Sequence, residues 1–442
     1  MRLSDYTQSG GRGLFRRDRR LYVHRGTHTF TIPDGVTKIW AFVMGAGGGG
    51  ANPGRQGSGM DGGMVGGGKG GGYASGIISG LTPGGTLTLT IGAGGVGAWE
   101  TTAATAGANT TVVGGGTTYL QGNGGGAASN TIITSDPGSG KGQGGSASTN
   151  SVTDAYTAAG GGSYNWTAGV GYGGITASGN MNVVMGGGAS GSPFGSGQPG
   201  TKCVGYTNSA NGGGGWCQID YPRDQWLRGS NGEYARGGVA LGGFGSHYPP
   251  EHFSGRSRFY WMDGKNGGEG FTAKGGLTFY MNQLVTTDAY GGASTNKTFE
   301  VMDAPGMITQ TKYKMHEVMH GEDGNPNWWF PWEVDGGGGG GIVCNDDSGQ
   351  VWTAGTGGPG AGGGGARMTA SDTANITGGR GGFGGGGGAA YNSLNDIQRL
   401  GTAWGGQGGN GGGGGSAHGR IESSRYMPIG GNGGDGAIGI YW

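Results

Sequence analysis

Along most of this chain, short stretches of alternating apolar and polar residues are separated by runs that carry no side chains at all. Residues 28–32 (HTFTI), 36–44 (VTKIWAFVM), 86–91 (TLTLTI), 110–113 (TTVV), 182–185 (NVVM) and 437–442 (AIGIYW) are rich in β-branched and aromatic residues, and several keep a period of two. That period belongs to strands with one buried face. No comparable amphipathic helical pattern occurs outside residues 216–335. The pattern predicts an all-β fold in which short strands frame something glycine-rich.

What lies between the strands is unusual. Runs such as GAGGGG, GGGKGGG, AGGGGA, GGFGGGGGAA and GGNGGGGGSA recur, and residues 336–341 are six consecutive glycines. They lack the strict Gly-X-Y period of collagen. The intervening strands separate them from a Gly/Ser linker. Glycine runs can order as extended left-handed helices of polyproline II geometry, three residues per turn, with every N–H and C=O pointing outward. One such run cannot order alone, because glycine loses the most backbone freedom and has no side chain to bury. A packed array of polyglycine II helices can, each run satisfying its neighbours, with strands and aromatic residues supplying the remainder. In that array a side chain at Gly338 would be sterically excluded; flexible surface loops are the alternative.

Composition divides the chain into regions. Of 122 glycines in 442 residues, only 19 fall within the 120 residues of 216–335, which also hold 20 of the 42 aromatics. This stretch reads as an aromatic-rich inserted module with ordinary side-chain packing, between a first glycine-rich half (28–215) and a second (336–442). Residues 1–27 form an arginine-rich attachment arm, in which Arg16, Arg17, Arg19 and Arg20 stand close together. A solvated tail and a docking arm for an acidic groove are equally compatible with it. Lys plus Arg equals Asp plus Glu at 27 each, so bulk charge attracts neither nucleic acid nor an anionic membrane. No stretch approaches the length of a membrane span and the start lacks an apolar signal region, so a soluble chain made in the cytoplasm is expected. Cys203, Cys217 and Cys344 lack the number and spacing of a disulfide framework or zinc knuckle.

The ordered motifs FTIPDGVTKIWAFVMGAGGGG, GGGYASGIISGLTPGGTLTLTIGAGG and the terminal GGNGGDGAIGIYW resemble the glycine-rich domain of bacteriophage tail fibres and tail-tip adhesins. The likeness covers about residues 27–113 and 361–442. It implies a virion protein assembled in the host cytoplasm, whose strands frame a glycine-rich core and whose loops contact a bacterial surface receptor, with no catalytic residue and no cofactor. The arginine arm and the insert fall outside the pattern.

Several motifs carry chemistry of their own. The HEVMH of His316, Glu317 and His320 has the spacing of a zinc peptidase helix. However, Gly321 and Gly324-Asn325-Pro326 end any helix within a turn, and Asp323 stands where the longer motif has glycine. GMVGGGKG at 63–70 lacks the Ser or Thr of a phosphate loop. NDDSG at 345–349 has the makings of a turn rather than a calcium loop. The aromatics are more informative. Trp328, Trp329, Phe330 and Trp332 cluster between two prolines and a glycine run, while Phe259, Tyr260 and Trp261 adjoin Arg256 and Arg258. They either form the insert's core or stack on sugars and protein surfaces, as do Trp99, Trp166, Trp352 and Trp404 in the glycine-rich halves. The expectation is an adhesin that binds a surface glycan or outer-membrane protein without catalysis, attached to other virion proteins. A purely structural fibre or decoration protein and a zinc peptidase are the alternatives. Homo-oligomerisation is left open, since no heptad pattern argues for a trimer.

Overall fold

A computed structural model describes residues 19–52, 63–100, 102–129, 144–162, 182–192, 196–200, 209–210, 212–216, 342–344, 351–354, 356–357, 360, 362–368, 375–392, 402–419 and 428–442, together with strands at 259–261, 278–282, 297–302 and 307–313. Among these residues there are strands, turns and extended runs, and no helix. The chain is all-β, as its alternation predicts.

Two five-stranded antiparallel sheets form a frame at one end. The first runs in the order β1 (Arg19–Tyr22), β24 (Ala437–Tyr441), β3 (Lys38–Met44), β5 (Tyr73–Ser79) and β10 (Thr153–Ala158). The second runs β2 (Gly26–Thr31), β6 (Thr86–Ile91), β7 (Thr110–Gly114), β8 (Thr117–Gly122) and β9 (Ala147–Thr149). The alternation of TLTLTI turns Leu87, Leu89 and Ile91 inward, where they meet Phe30, Val112 and Leu120 from their own sheet and Ile39, Val43, Ile78, Ile438 and Ile440 from the other. Sheet-on-sheet burial of this kind is the main source of side-chain stabilisation. Strand β3 is apolar almost throughout because it is buried on both faces: Ile39, Ala41 and Val43 enter this core, while Phe42 and Met44 enter a second one with Tyr73, Trp216 and Phe383.

The second core joins the frame to the glycine runs. Trp216 is fully buried, donates from Nε1 to Ser190 Oγ at 3.0 Å, and meets Phe383 edge-on at 6.2 Å. Gly384, in the left-handed region at φ +80°, lies where any side chain would strike the indole. Trp216 opens the stretch that composition marks as the insert, yet it is built into the glycine-rich body.

The runs form an ordered array. From Gly45 to Ala51 every N–H donates to a different run in rotation: Gly45, Gly48 and Ala51 to the carbonyls of Gly72, Lys69 and Gly66; Ala46 and Gly49 to Ala108 and Thr105; Gly47 and Gly50 to Gly434 and Gly431. Residue numbers fall as those of the central run rise, so these three neighbours are antiparallel. The carbonyls of the same run accept from three parallel neighbours: Ala46 and Gly49 from Gly125 and Ala128, Gly47 and Gly50 from Gly95 and Ala98, Gly48 and Ala51 from Gly414 and Ala417. Six neighbours and a three-residue rotation are the signature of packed polyglycine II helices. At the margin of the array, side chains of an adjoining run also act as acceptors. Run 92–98 donates from Gly94 to Asp435 Oδ1 and from Gly97 to Asn432 Oδ1, both at 2.8 Å.

Both glycine-rich halves contribute to this one array, and the second is a repeat. Short parallel strands β17 (Ile342–Cys344), β19 (Ala366–Met368), β21 (Ala390–Asn392) and β23 (Ala417–His418) lie side by side, with Ile342, Ala366, Ala390 and Ala417 in register 24, 24 and 27 residues apart. The returning strands β18 (Val351–Thr353), β20 (Asn375–Thr377) and β22 (Ala403–Trp404) form a second parallel ladder. Left-handed glycines at 360, 384 and 411 occupy equivalent places in successive units. In the first half, β4 (Gly63–Val65), β11 (Asn182–Val184) and β12 (Ser209–Ala210) form a third parallel ladder. Within residues 216–335, β13 (Phe259–Trp261), β14 (Thr278–Asn282), β15 (Lys297–Met302) and β16 (Met307–Tyr313) make an antiparallel meander.

Gly338 lies outside the described residues, but the steric expectation attached to it transfers to Gly48, whose added Cβ would fall on the carbonyl of Gly126, well inside van der Waals contact. At Gly126 the nearest neighbour of a Cβ is the flexible Lys69 side chain, its Cδ at 3.4 Å. Gly48→Ala is expected to destabilise by about 2–4 kcal/mol and Gly126→Ala by less than about 1 kcal/mol. Urea unfolding followed by circular dichroism measures both, and equal losses would contradict the packed array.

Candidate functional site

The array gives the molecule two distinct ends. The frame strands β3, β5, β6, β7, β8 and β24 all meet the glycine runs at one end. Arg19 pairs with Tyr441 at the opposite edge of the frame, beside Trp442. At the far end of the array stand Ala51, Ala98, Ala417 and the short parallel ladders. The described residues flanking segments 53–62, 345–350, 369–374, 393–401 and 420–427 are all at this far end. Connections between elements held by a rigid scaffold are where binding residues concentrate.

One described connection shows its geometry. Run 92–98 ends in a tight turn closed by Trp99 N–H to the Thr102 carbonyl at 3.1 Å and Thr102 N–H to the Trp99 carbonyl at 2.7 Å. Glu100 occupies the left-handed region at φ 52°. In a chain with so many glycines, a glutamate at that position costs about 1–2 kcal/mol. Trp99 also bridges antiparallel to Ile429, and Ile429 bridges parallel to Trp404. Trp404 in turn pairs with Thr377, and Thr377 with Thr353. Partners in a ladder project from the same face. Thr353, Thr377, Trp404, Ile429, Trp99 and Thr102 therefore make one row across the far end.

Behind the row, His418 is buried and stacks on Tyr391 at 5.3 Å, and neither ring nitrogen has a hydrogen-bond partner among the described residues. Burial holds the imidazole neutral, drawing its pKa down from 6.5 to about 4.

The residues singled out from sequence are distributed unevenly. Trp99 and Trp404 are brought together through Ile429, although 305 positions separate Trp99 from Trp404 in the chain. Trp352 stands on the same ladder, opposite Ile376. Phe259, Tyr260 and Trp261 form β13 and pair with Asn282, Met281 and Tyr280. Trp166, Arg256, Arg258, Trp328, Trp329, Phe330 and Trp332 lie outside the described residues, as do His316, Glu317, His320, Arg16 and Arg17. Arg19 and Arg20 belong to β1, so the end of the arginine arm is a frame strand. The Arg20 guanidinium lies over the rings of Phe30 at 5.9 Å and Trp442 at 5.7 Å, a cation–π contact within the frame. Ile429, Thr353, Thr377 and His418 were not legible as site residues. The repeat that aligns their segments is the signal that could have found the first three.

Residues 23–241 match the model of a family described as a glycine-rich domain. The match covers the frame strands from β2 to β10 and the first-half runs. The repeat at 342–442 lies beyond it, though it shares the same array. No curated protein matches the chain.

The buried histidine makes stability depend on pH. The unfolded chain takes up a proton near pH 6.5, whereas folded His418 remains neutral down to about pH 4. Its contribution is therefore complete above pH 6.5 and is lost progressively as the pH falls toward 4, by up to about 3 kcal/mol. His418→Phe, which keeps the stack on Tyr391, is expected to lose less stability than the parent between pH 7 and pH 4.5. Equal losses in urea titrations at the two pH values would contradict the burial of a neutral ring.

Proposed function

We propose that this is a bacteriophage virion protein, a tail fibre or tail-tip adhesin that recognises a bacterial surface receptor without catalysis. The observation that carries this reading is the polarity of the array. A strand frame lies at one end, with the end of the arginine arm built into it. A rigid, laterally bonded glycine body then holds a row of exposed and half-buried aromatic and hydroxyl side chains, and the anchors of several further segments, at the other end. The resemblance of the frame motifs and terminal strand to phage adhesins supports the same reading, and the match to a glycine-rich domain is compatible with it. In this reading the arginine-rich arm, residues 1–27, docks the frame on another virion protein, and copies repeated on one particle add avidity to a weak individual contact.

Fluorescently labelled full-length protein is expected to bind selectively to some strains in a panel of bacteria and to reduce adsorption of the source virus to them. Labelling of the virion would then place the chain at a distal tip. Absence of binding to any strain, including a host of that virus, would turn the reading toward a purely structural fibre or decoration protein.

A further inference from the structure

Among the described residues the exposed large apolar side chains are Val96 (57%), Trp99 (54%) and Tyr156 (39%). Tyr156 belongs to the frame, but Val96 and Trp99 are three residues apart at the end of one run. With three residues per turn they project to the same side. That side carries the row described above: exposed Thr353 and Thr102 at its ends, and half-buried Thr377, Trp404 and Ile429 between them and Trp99. We propose that this row is a binding site for an extended neutral polysaccharide, with Trp99 and Trp404 as its two stacking platforms and Thr377, Thr102 and Glu100 as its hydroxyl partners. The inference rests on the adhesin reading and names the receptor class for it.

Three features select that ligand. Indole faces are flat and apolar and match the C–H faces of sugar rings, while their own rigidity keeps the entropic loss on binding small. Trp99 and Trp404 flank Ile429, so two ladder steps separate them, about 10 Å. That separation is comparable to the length of a disaccharide in an extended chain, so both platforms engage one polymer rather than one monosaccharide. The row from Thr353 to Thr102 spans five such steps, about 24 Å. The polar groups are hydroxyls and one carboxylate, with no lysine or arginine among the row residues. A nucleic acid would need cations there, and an acidic glycan would be repelled by Glu100. The left-handed Glu100 turn places a carboxylate next to Trp99 at a backbone position that glycine occupies more readily, and a glycine there would supply no charge.

The test uses the full chain on a printed array of bacterial surface polysaccharides, with the outer-membrane proteins of the same strains in detergent as the comparison and whole cells as a third arm. The expected result is binding to one or more neutral polysaccharides that changes little with salt. Trp99→Ala and Trp404→Ala should each weaken it about tenfold or more, the scale on which a central aromatic anchor is lost, while Tyr156→Ala leaves it unchanged. Circular dichroism and the melting midpoint check that the variants fold. Trp99→Phe, which keeps a stacking face, should retain part of the affinity. Binding to cells and to outer-membrane proteins but to no polysaccharide would overturn the inference and leave the adhesin reading standing. Polysaccharide binding that survives both tryptophan substitutions would overturn the assigned site. Binding to neither cells nor polysaccharides would remove both.

Discussion

The lateral hydrogen bond between glycine backbones is the interaction on which the rest of this protein depends. A polyproline II run makes no bonds within itself, so each of its buried N–H and C=O groups must find a partner in another run or be left unsatisfied at substantial cost. From Gly45 to Ala51 that demand is met by six neighbours drawn from both ends of the sequence. The same closeness forbids side chains: at Gly47, Gly48, Gly49 and Gly50 a Cβ would fall on a neighbouring carbonyl. Glycine is therefore a packing requirement here, as at the collagen axis. The array is cooperative because every run completes several others.

Backbone bonds alone do not decide which run lies beside which, and the strand frame supplies that decision. Its two sheets bury a core of branched aliphatic side chains with Phe30, and strands β3, β5, β6, β7, β8 and β24 each join a run to the frame at a set place and direction. Trp216, Phe383, Phe42 and Met44 close the junction. At the margins, Asp435, Asn432, Thr105 and Thr110 in adjoining runs accept bonds from run 92–98 through their side chains. Their side chains thus set the edge of the array as neighbouring carbonyls set its interior.

This division of labour suits presentation of a surface. An array bonded on every side offers little freedom to lose when a ligand binds its end, and preorganisation of that kind is converted into affinity. Successive repeats in the second half each bring a further pair of strand ends to the same place, so new contact residues can be added or exchanged without disturbing the glycines beneath them. His418 shows the limit of that tolerance. It is a polar side chain held between the ladders without partners for its nitrogens, and it remains neutral because charging it there would be costly.

The strands were legible from alternation and β-branching: residues 86–91 and the strands beginning at 110, 182 and 437 appear where their side chains indicate, because a half-buried strand writes its period into the sequence. The need for packed polyglycine II was legible too, since runs of bare backbone have few other ways to order. Strand β5 was not read as a strand, because Tyr73–Ser79 mixes glycine and serine with apolar residues that are buried whichever face they take. The repeat at 342–442 was obscured by the glycine background, its units sharing mainly turn positions and short β segments. Of the site, the tryptophans could be named but not assembled. By itself the sequence determined the all-β class, the framing strands and the exclusion of side chains from the runs. Only the tertiary structure decided the neighbours of each run, the union of the two halves and the meeting of Trp99 with Trp404 across Ile429. The physical reason is that a glycine run has no side chain to record its partners; the partners are chosen by the strands and turns that deliver it.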